Sequence, residues 1–152
     1  MYAKLWTLRF LKRSGMKSSN LLHIYETVIR PATEYCAVVY HPLIPAYLAN
    51  RLESVQRQAW KIIFGWNTNL DRLVQKGKVE TLEERRKKNS LKFALKYKDT
   101  ERFRHWFPRV VNDRVVRETT RRTYYEKPCR TERTRNNPLQ YMARLLNEEE
   151  NK

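Results

Sequence analysis

Glycine is scarce in this chain: Gly15, Gly65 and Gly77 are the three it has in 152 residues. Strands joined by tight turns rely on glycine for left-handed backbone, so a sheet-rich fold is disfavoured. The same scarcity removes the glycine-rich loops that cradle nucleotide phosphates, and with them an NTPase reading. Aspartate is limited to Asp71, Asp99 and Asp113, none next to another. Two-metal phosphoryl transfer needs clustered carboxylates, and these three cannot supply them from sequence proximity. The two cysteines, Cys36 and Cys129, lie far apart. They support no disulfide framework, and an intracellular, reducing compartment, nucleus or cytoplasm, is the expectation.

Other chemistries fail on spacing. Structural zinc wants four ligands in two close pairs. His23, His41, His105, Cys36 and Cys129 form no Cys-x-x-Cys or His-x-x-x-His pair, so no metal site is expected. Cys36 with His23 or His41 can be drawn as a nucleophilic dyad. A cysteine inside an apolar run such as YCAVVY is more often core, so Cys36 is expected to be a buried free thiol. A membrane span needs roughly 20 nearly uncharged apolar residues. The longest apolar-rich stretch, Tyr35 to Tyr40, falls far short, and no membrane partner is expected. The first 17 residues are basic, lack acids and carry no small-residue cleavage site. They read as a surface helix in preference to a mitochondrial presequence, and not as a signal peptide.

What is abundant is positive charge. There are 32 Lys and Arg against 16 Asp and Glu, a net charge of +16 with an isoelectric point near 10.1. Such a field attracts polyanions. Solubility alone is served by mixed signs with less self-repulsion. Between Arg102 and Arg135 eleven basic residues face four acids. Apolar residues make up 41% of the chain, enough for a core.

Apolar spacing is helical almost throughout. The first helix is expected from about Lys4 to Ser14, on Leu5, Leu8 and Leu11 or Lys12, ended by Gly15. A second starts after Ser18 or Ser19 as N-cap, with Leu21, Leu22, Tyr25, Val28 and Ile29 as its stripe, and Pro31 kinks or ends it. Residues 33–40 read as helix in preference to strand. Pro42 and Pro45 then mark a break, and Pro45 suits the start of a new helix. That helix places Leu48, Leu52, Val55, Ala59, Ile62 and Ile63 on one face and Arg51, Ser54, Gln58 and Lys61 on the other, and Gly65 closes it. A short helix over Leu70 to Gln75 is stopped by Gly77. Thr81 and Glu84 make a capping box for a helix running to about Lys98, with Glu83–Lys87 and Glu84–Lys88 as pairs along it. Beyond residue 99 short irregular, loosely folded pieces are expected. They include a small strand over Val110, Val111, Val115 and Val116, a last helix from Pro138 to Asn147, and a frayed end. The expectation is therefore an all-α, thumb-like bundle over residues 3–98 and a basic, partly irregular extension over 99–152.

Four blocks occur in series: KLWTLRFLKRSGMKSSNLLHIYETVIRPATEYCAVVYHP, LANRLESVQRQAWKIIFG, VETLEERRKKNSLKFALK and PCRTERTRNNPLQYMARLLN. Together they resemble the region after the palm in LINE-type (non-LTR) retrotransposon reverse transcriptases, over most of the chain from about Lys4 to Asn147. The resemblance implies a thumb followed by a family-specific extension, lying in the parent enzyme against the template–primer duplex and the palm. The family's Tyr-x-Asp-Asp motif, its further aspartate, its fingers and palm and its endonuclease domain have no counterpart here. What is implied is a truncated, non-catalytic piece of an RNA-directed DNA polymerase, with Met1 an internal or acquired start, without cofactor and without catalytic residues.

Its partners would be RNA, DNA or an RNA–DNA hybrid, together with the palm in the parent protein. Phosphate contacts are expected from Arg9, Lys12 and Arg13 in the first helix, from Arg51 and Lys61 in the long helix, and from Arg85 and Arg86 in the charge run EERRKK. The tail adds Arg121, Arg122, Arg130, Arg133 and Arg135, and Tyr124 and Tyr125 for stacking on unpaired bases. Trp60 and Trp66 flank the apolar stripe and are expected in or at the edge of the core. The competing reading is a protein-interaction module, or a host-adopted or relic fragment with no nucleic-acid role.

Overall fold

Leu5 and Leu8, one helical turn apart, are both fully buried, and around them the first of two compact units is built. The structure, a computed structural model, describes residues 2–75, 77, 79–110 and 123–151. Among the described residues the fold is all-α, as expected, and the one β feature is an isolated antiparallel bridge between Arg109 and Tyr124. Among them no helix is long and apolar enough to cross a membrane.

The first unit comprises residues 1–37 and 44–86. Helix α1, Tyr2–Arg13, ends where Gly15 adopts φ 82°, a left-handed conformation that glycine takes without a Cβ clash. Helix α2, Ser18–Ile24, is entered from Lys17 in extended backbone, and no side chain caps it. Ser18, expected as a cap, instead donates from Oγ to the carbonyl of Ile63 at 2.9 Å. A π-helical turn, Tyr25–Ile29, follows, with the Arg30 N–H bonded to the Tyr25 carbonyl at 2.8 Å. Pro31 has no N–H, and its ring crowds the carbonyl four residues back. The wider turn absorbs that clash, and Pro31 becomes the first residue of α3, Pro31–Glu34.

The chain then breaks at Tyr35 and Cys36 before α4, Ala37–Tyr40, so the expected helix over 33–40 is made in two pieces. Cys36 is exposed with φ 55°, which corrects the expectation of a buried thiol: the turn takes its side chain off the apolar face. Helix α5, Ala46–Phe64, is closed by Gly65 and buries Val55, Gln56, Ala59, Trp60, Ile62 and Ile63. Leu48, at its start, stays on the surface. Helix α6 covers Leu70–Gln75, as expected.

Helix α7, Leu82–Tyr97, begins in the first unit and continues into the second, which comprises residues 38–43 and 87–152. The division thus falls at Arg86 and Lys87, inside a helix, where sequence composition places a change near residue 99. The tail beyond 99 is not loosely folded in its described part. Phe107 and Tyr124 are buried with Ala94 and with Met142, Ala143 and Leu146 of α9, Pro138–Glu150. Asn137 caps α9, and Thr131 caps the single turn α8, Glu132–Arg135. The segment expected to fray is helical to Glu150, and Glu148 and Glu150 reach Lys87 and Lys98 at 3.4 and 3.5 Å. The strand expected around Val110, Val111, Val115 and Val116 lies, Val110 apart, outside the described residues.

One polar side chain organises this second unit. Asn147 is buried, and its Oδ1 accepts from the N–H groups of Thr123 and Tyr124 at 3.1 and 2.9 Å. Its Nδ2 donates to the Tyr124 carbonyl at 3.0 Å and to Glu126 Oε1 at 2.9 Å. The extended segment is thereby fixed along α9 where it has little ladder bonding of its own.

Candidate nucleic-acid interface

Of the fourteen expected contact residues, the twelve that the structure describes separate into three groups. Arg9, Arg13 and Arg51 are exposed and form no ion pair with a described acid. In the second unit Arg130, Arg133 and Arg135 are exposed on and before α8, and Tyr125 is half-exposed. These seven stand where a phosphate or a base can reach them. Arg121 and Arg122 lie outside the described residues.

Lys12 and Lys61 are partly occupied. Lys12 Nζ donates to the Ile63 carbonyl at 2.9 Å and lies 3.3 Å from Ser18 Oγ, so it satisfies the C-terminal end of α5. Lys61 Nζ sits 5.6 Å from the centre of the Trp66 ring, a cation–π arrangement on the surface. Trp66 is 69% exposed, against the expectation that it lies in or at the edge of the core, because it lies past Gly65 and off the helical stripe that buries Trp60.

Two residues are corrected, Arg86 and Tyr124, and a third, Arg85, is engaged within the fold. Arg86 is 1% exposed, with Nη2 3.7 Å from Glu53, and no phosphate can approach it. Arg85 is bound to Glu34 through both Nε and Nη2 and has Glu80 3.4 Å from Nη1. The hydrogen bond to Glu34 is the largest influence raising its already high pKa, so its charge is engaged inside the fold. Tyr124 is 1% exposed and forms part of the second core. Neighbouring residues of extended chain point to opposite sides, so Tyr125 faces outward while Tyr124 cannot stack on a base.

Partly buried charges form two sets that meet α7, one from Arg30 and α3 and one from α5. Arg30 bridges Glu26 at 3.1 Å and Glu34 at 3.8 Å, and Glu34 passes the link to Arg85. At the start of α7, Glu53 accepts from the N–H groups of Leu82 and Glu83 at 3.4 and 2.9 Å, and Gln56 Oε1 accepts from Leu82 at 3.0 Å. Thr81 Oγ1 accepts from the Glu84 N–H at 3.2 Å, which is the forward half of the expected capping box. Burial raises the Glu53 carboxyl above its ordinary range, although the bonds from Glu83 and Leu82 and the Arg86 charge pull it down. Burial likewise raises the Tyr25 hydroxyl, which has no hydrogen-bond partner among the described residues. A helix N-terminus capped by two side chains of another helix is a folding device, and beside it Arg85 and Arg86 of the EERRKK run are engaged without a ligand.

Sequence reasoning missed two features. Trp6 and Phe10 are exposed on α1, in the same stripe as Arg9 and Arg13. In the second unit an open cavity of about 450 Å³ is lined by Lys127, Arg135 and Arg144, with Glu126, Cys129 and Gln140. Of its cations Arg144 is partly held, its Nη2 donating to the Arg135 carbonyl at 3.0 Å, and the backbone N–H of Lys127 donates to Gln140 Oε1 at 3.0 Å. Among the described residues no three His, Cys, Asp or Glu side chains are grouped to hold a metal. No model of a protein family, no curated protein and no solved structure matches the chain.

Proposed function

We propose that this chain is a non-catalytic nucleic-acid-gripping module, a piece of a non-LTR retrotransposon reverse transcriptase whose parent activity is RNA-directed DNA synthesis. The observation that carries the gripping is the set of exposed arginines with no acidic partner among the described residues, Arg9, Arg13 and Arg51 in one unit and Arg130 and Arg133 in the other. Unpaired surface guanidiniums release counterions when they meet phosphate, and that release supplies sequence-independent affinity. The parentage rests on the four sequence blocks. In that context the module holds a template–primer beside a palm supplied elsewhere, in the nucleus or cytoplasm.

The test is binding of the purified chain to a labelled RNA–DNA hybrid by fluorescence anisotropy across a salt series. Micromolar or tighter affinity that falls steeply with salt supports the reading. A helical chain that binds nothing at moderate salt sinks it. A second reading, docking on another protein, is favoured by the exposure of Val28, Tyr35, Tyr47 and Leu48 in the first unit.

A further inference from the structure

Trp6, Arg9, Phe10 and Arg13 recur at i, i+3, i+4 and i+7, so they share one stripe of α1. Leu5 and Leu8, on another stripe, hold the helix to the core. The two aromatic rings are 65% and 54% exposed, yet they are stacked, with centroids 5.5 Å apart and planes 16° apart. Folding gains little from two large rings left in water. The guanidiniums beside them have no ion pair with a described acid.

We propose that this stripe is a binding site for an unpaired stretch of RNA or DNA, with a base stacking on the Trp6–Phe10 platform and the flanking phosphates taken by Arg9 and Arg13. The proposal rests on the nucleic-acid reading above and narrows it to a single-stranded ligand and four residues. Every base offers a flat π face, so such a platform tolerates any sequence. Arg9 and Arg13 are separated by about 6 Å along the helix axis, a spacing suited to consecutive phosphates of an extended strand. A helix lying in a lipid surface segregates its aromatics from its cations. Here Arg9 sits in the aromatic stripe itself, which fits a ligand that alternates rings and charges.

The experiment uses the intact chain and four probes: a labelled thymidine oligonucleotide, an abasic strand of equal length, a blunt RNA–DNA hybrid, and vesicles containing phosphatidylserine. Wild type is compared with Trp6→Ala/Phe10→Ala and with Arg9→Ala/Arg13→Ala, each first shown to be as helical as wild type. The aromatic variant should lose tenfold or more on the thymidine strand and under twofold on the abasic strand. The arginine variant should weaken on both. An aromatic variant that binds thymidine as wild type does, or that loses equally on the abasic strand, overturns the stacking site and leaves the general reading standing. Loss of vesicle binding with thymidine binding intact assigns the stripe to a lipid surface and also overturns it. A wild type that binds none of the three nucleic acids overturns the reading beneath it.

Discussion

Replacing Asn147 by alanine removes four hydrogen bonds at one stroke and leaves the Thr123 N–H, the Tyr124 N–H and the Tyr124 carbonyl without the partner that now serves them. A buried polar group left unsatisfied costs about 1–3 kcal/mol. Thr123 is only half-buried, so water replaces part of its loss, whereas Tyr124 is enclosed. The expected loss is therefore about 3–4 kcal/mol. For a chain of this size that lowers the melting temperature by roughly 6–16 °C. Circular dichroism melts measure it, and limited proteolysis should show cleavage rising first around residues 123–129. Asn147→Asp should be worse than its small size change suggests, because a carboxylate would face Glu126 Oε1 where the amide now donates at 2.9 Å. A melting point for Asn147→Ala within about 2 °C of wild type would refute the claim that this side chain anchors the extended segment.

Arg86→Ala should cost about 3–5 kcal/mol by leaving Glu53 with a diminished counter-charge, while the salt dependence of nucleic-acid binding stays as in wild type, read by urea unfolding and anisotropy together. Glu53→Ala should destabilise more than Glu53→Gln, because glutamine keeps an acceptor for the first N–H groups of α7. The Glu53 carboxyl is raised in the folded state, so that state holds its proton more tightly than the unfolded chain. Its contribution to stability therefore falls as pH rises from the ordinary glutamate range through the raised value, and unfolding midpoints of Glu53→Gln should lack that dependence. Trp60→Ala should cost about 3–5 kcal/mol as a core truncation, whereas Trp66→Ala should stay within about 0.5 kcal/mol, both read from denaturant midpoints.

The helices were legible where apolar periodicity is long and a glycine ends it. Helix α5 carries its stripe over five turns and stops at Gly65, and α6 lies where Leu70 to Gln75 placed it. What periodicity could not reveal was the fate of individual polar groups. Arg9 and Arg86 look alike in a string of letters, yet one is in water and the other is enclosed beside Glu53. That difference depends on where α5 meets the start of α7, residues about thirty apart in sequence. Asn147 sits in LLNEEE and reads as surface, because its partners at 123–126 lie in a segment with little regular structure. Tyr124 and Tyr125 differ only by the alternation of extended chain, which a basic, aperiodic stretch does not announce. The Trp6–Phe10 pair was within reach of sequence reasoning, since an i,i+4 aromatic pair off the Leu5–Leu8 stripe has no place in the core.

The count of 32 Lys and Arg overstates the cations that a polyanion can meet. Arg30, Arg85, Arg86, Lys87, Lys98 and Arg109 are each already set against a carboxylate. Affinity for nucleic acid should therefore follow the exposed, unpaired cations and not the total. On a single strand each phosphate contact adds about 0.7 to the slope of log affinity against log salt. Removing Arg9 and Arg13 together should then flatten that slope by about 1.4. Removing the aromatic pair should lower affinity at every salt concentration and leave the slope alone, because stacking releases no counterions. Substituting Arg86 should do neither. Three variants of one chain thus separate stacking, phosphate contact and folding by their salt dependence, and a slope indifferent to Arg9 and Arg13 would place the grip elsewhere on the protein.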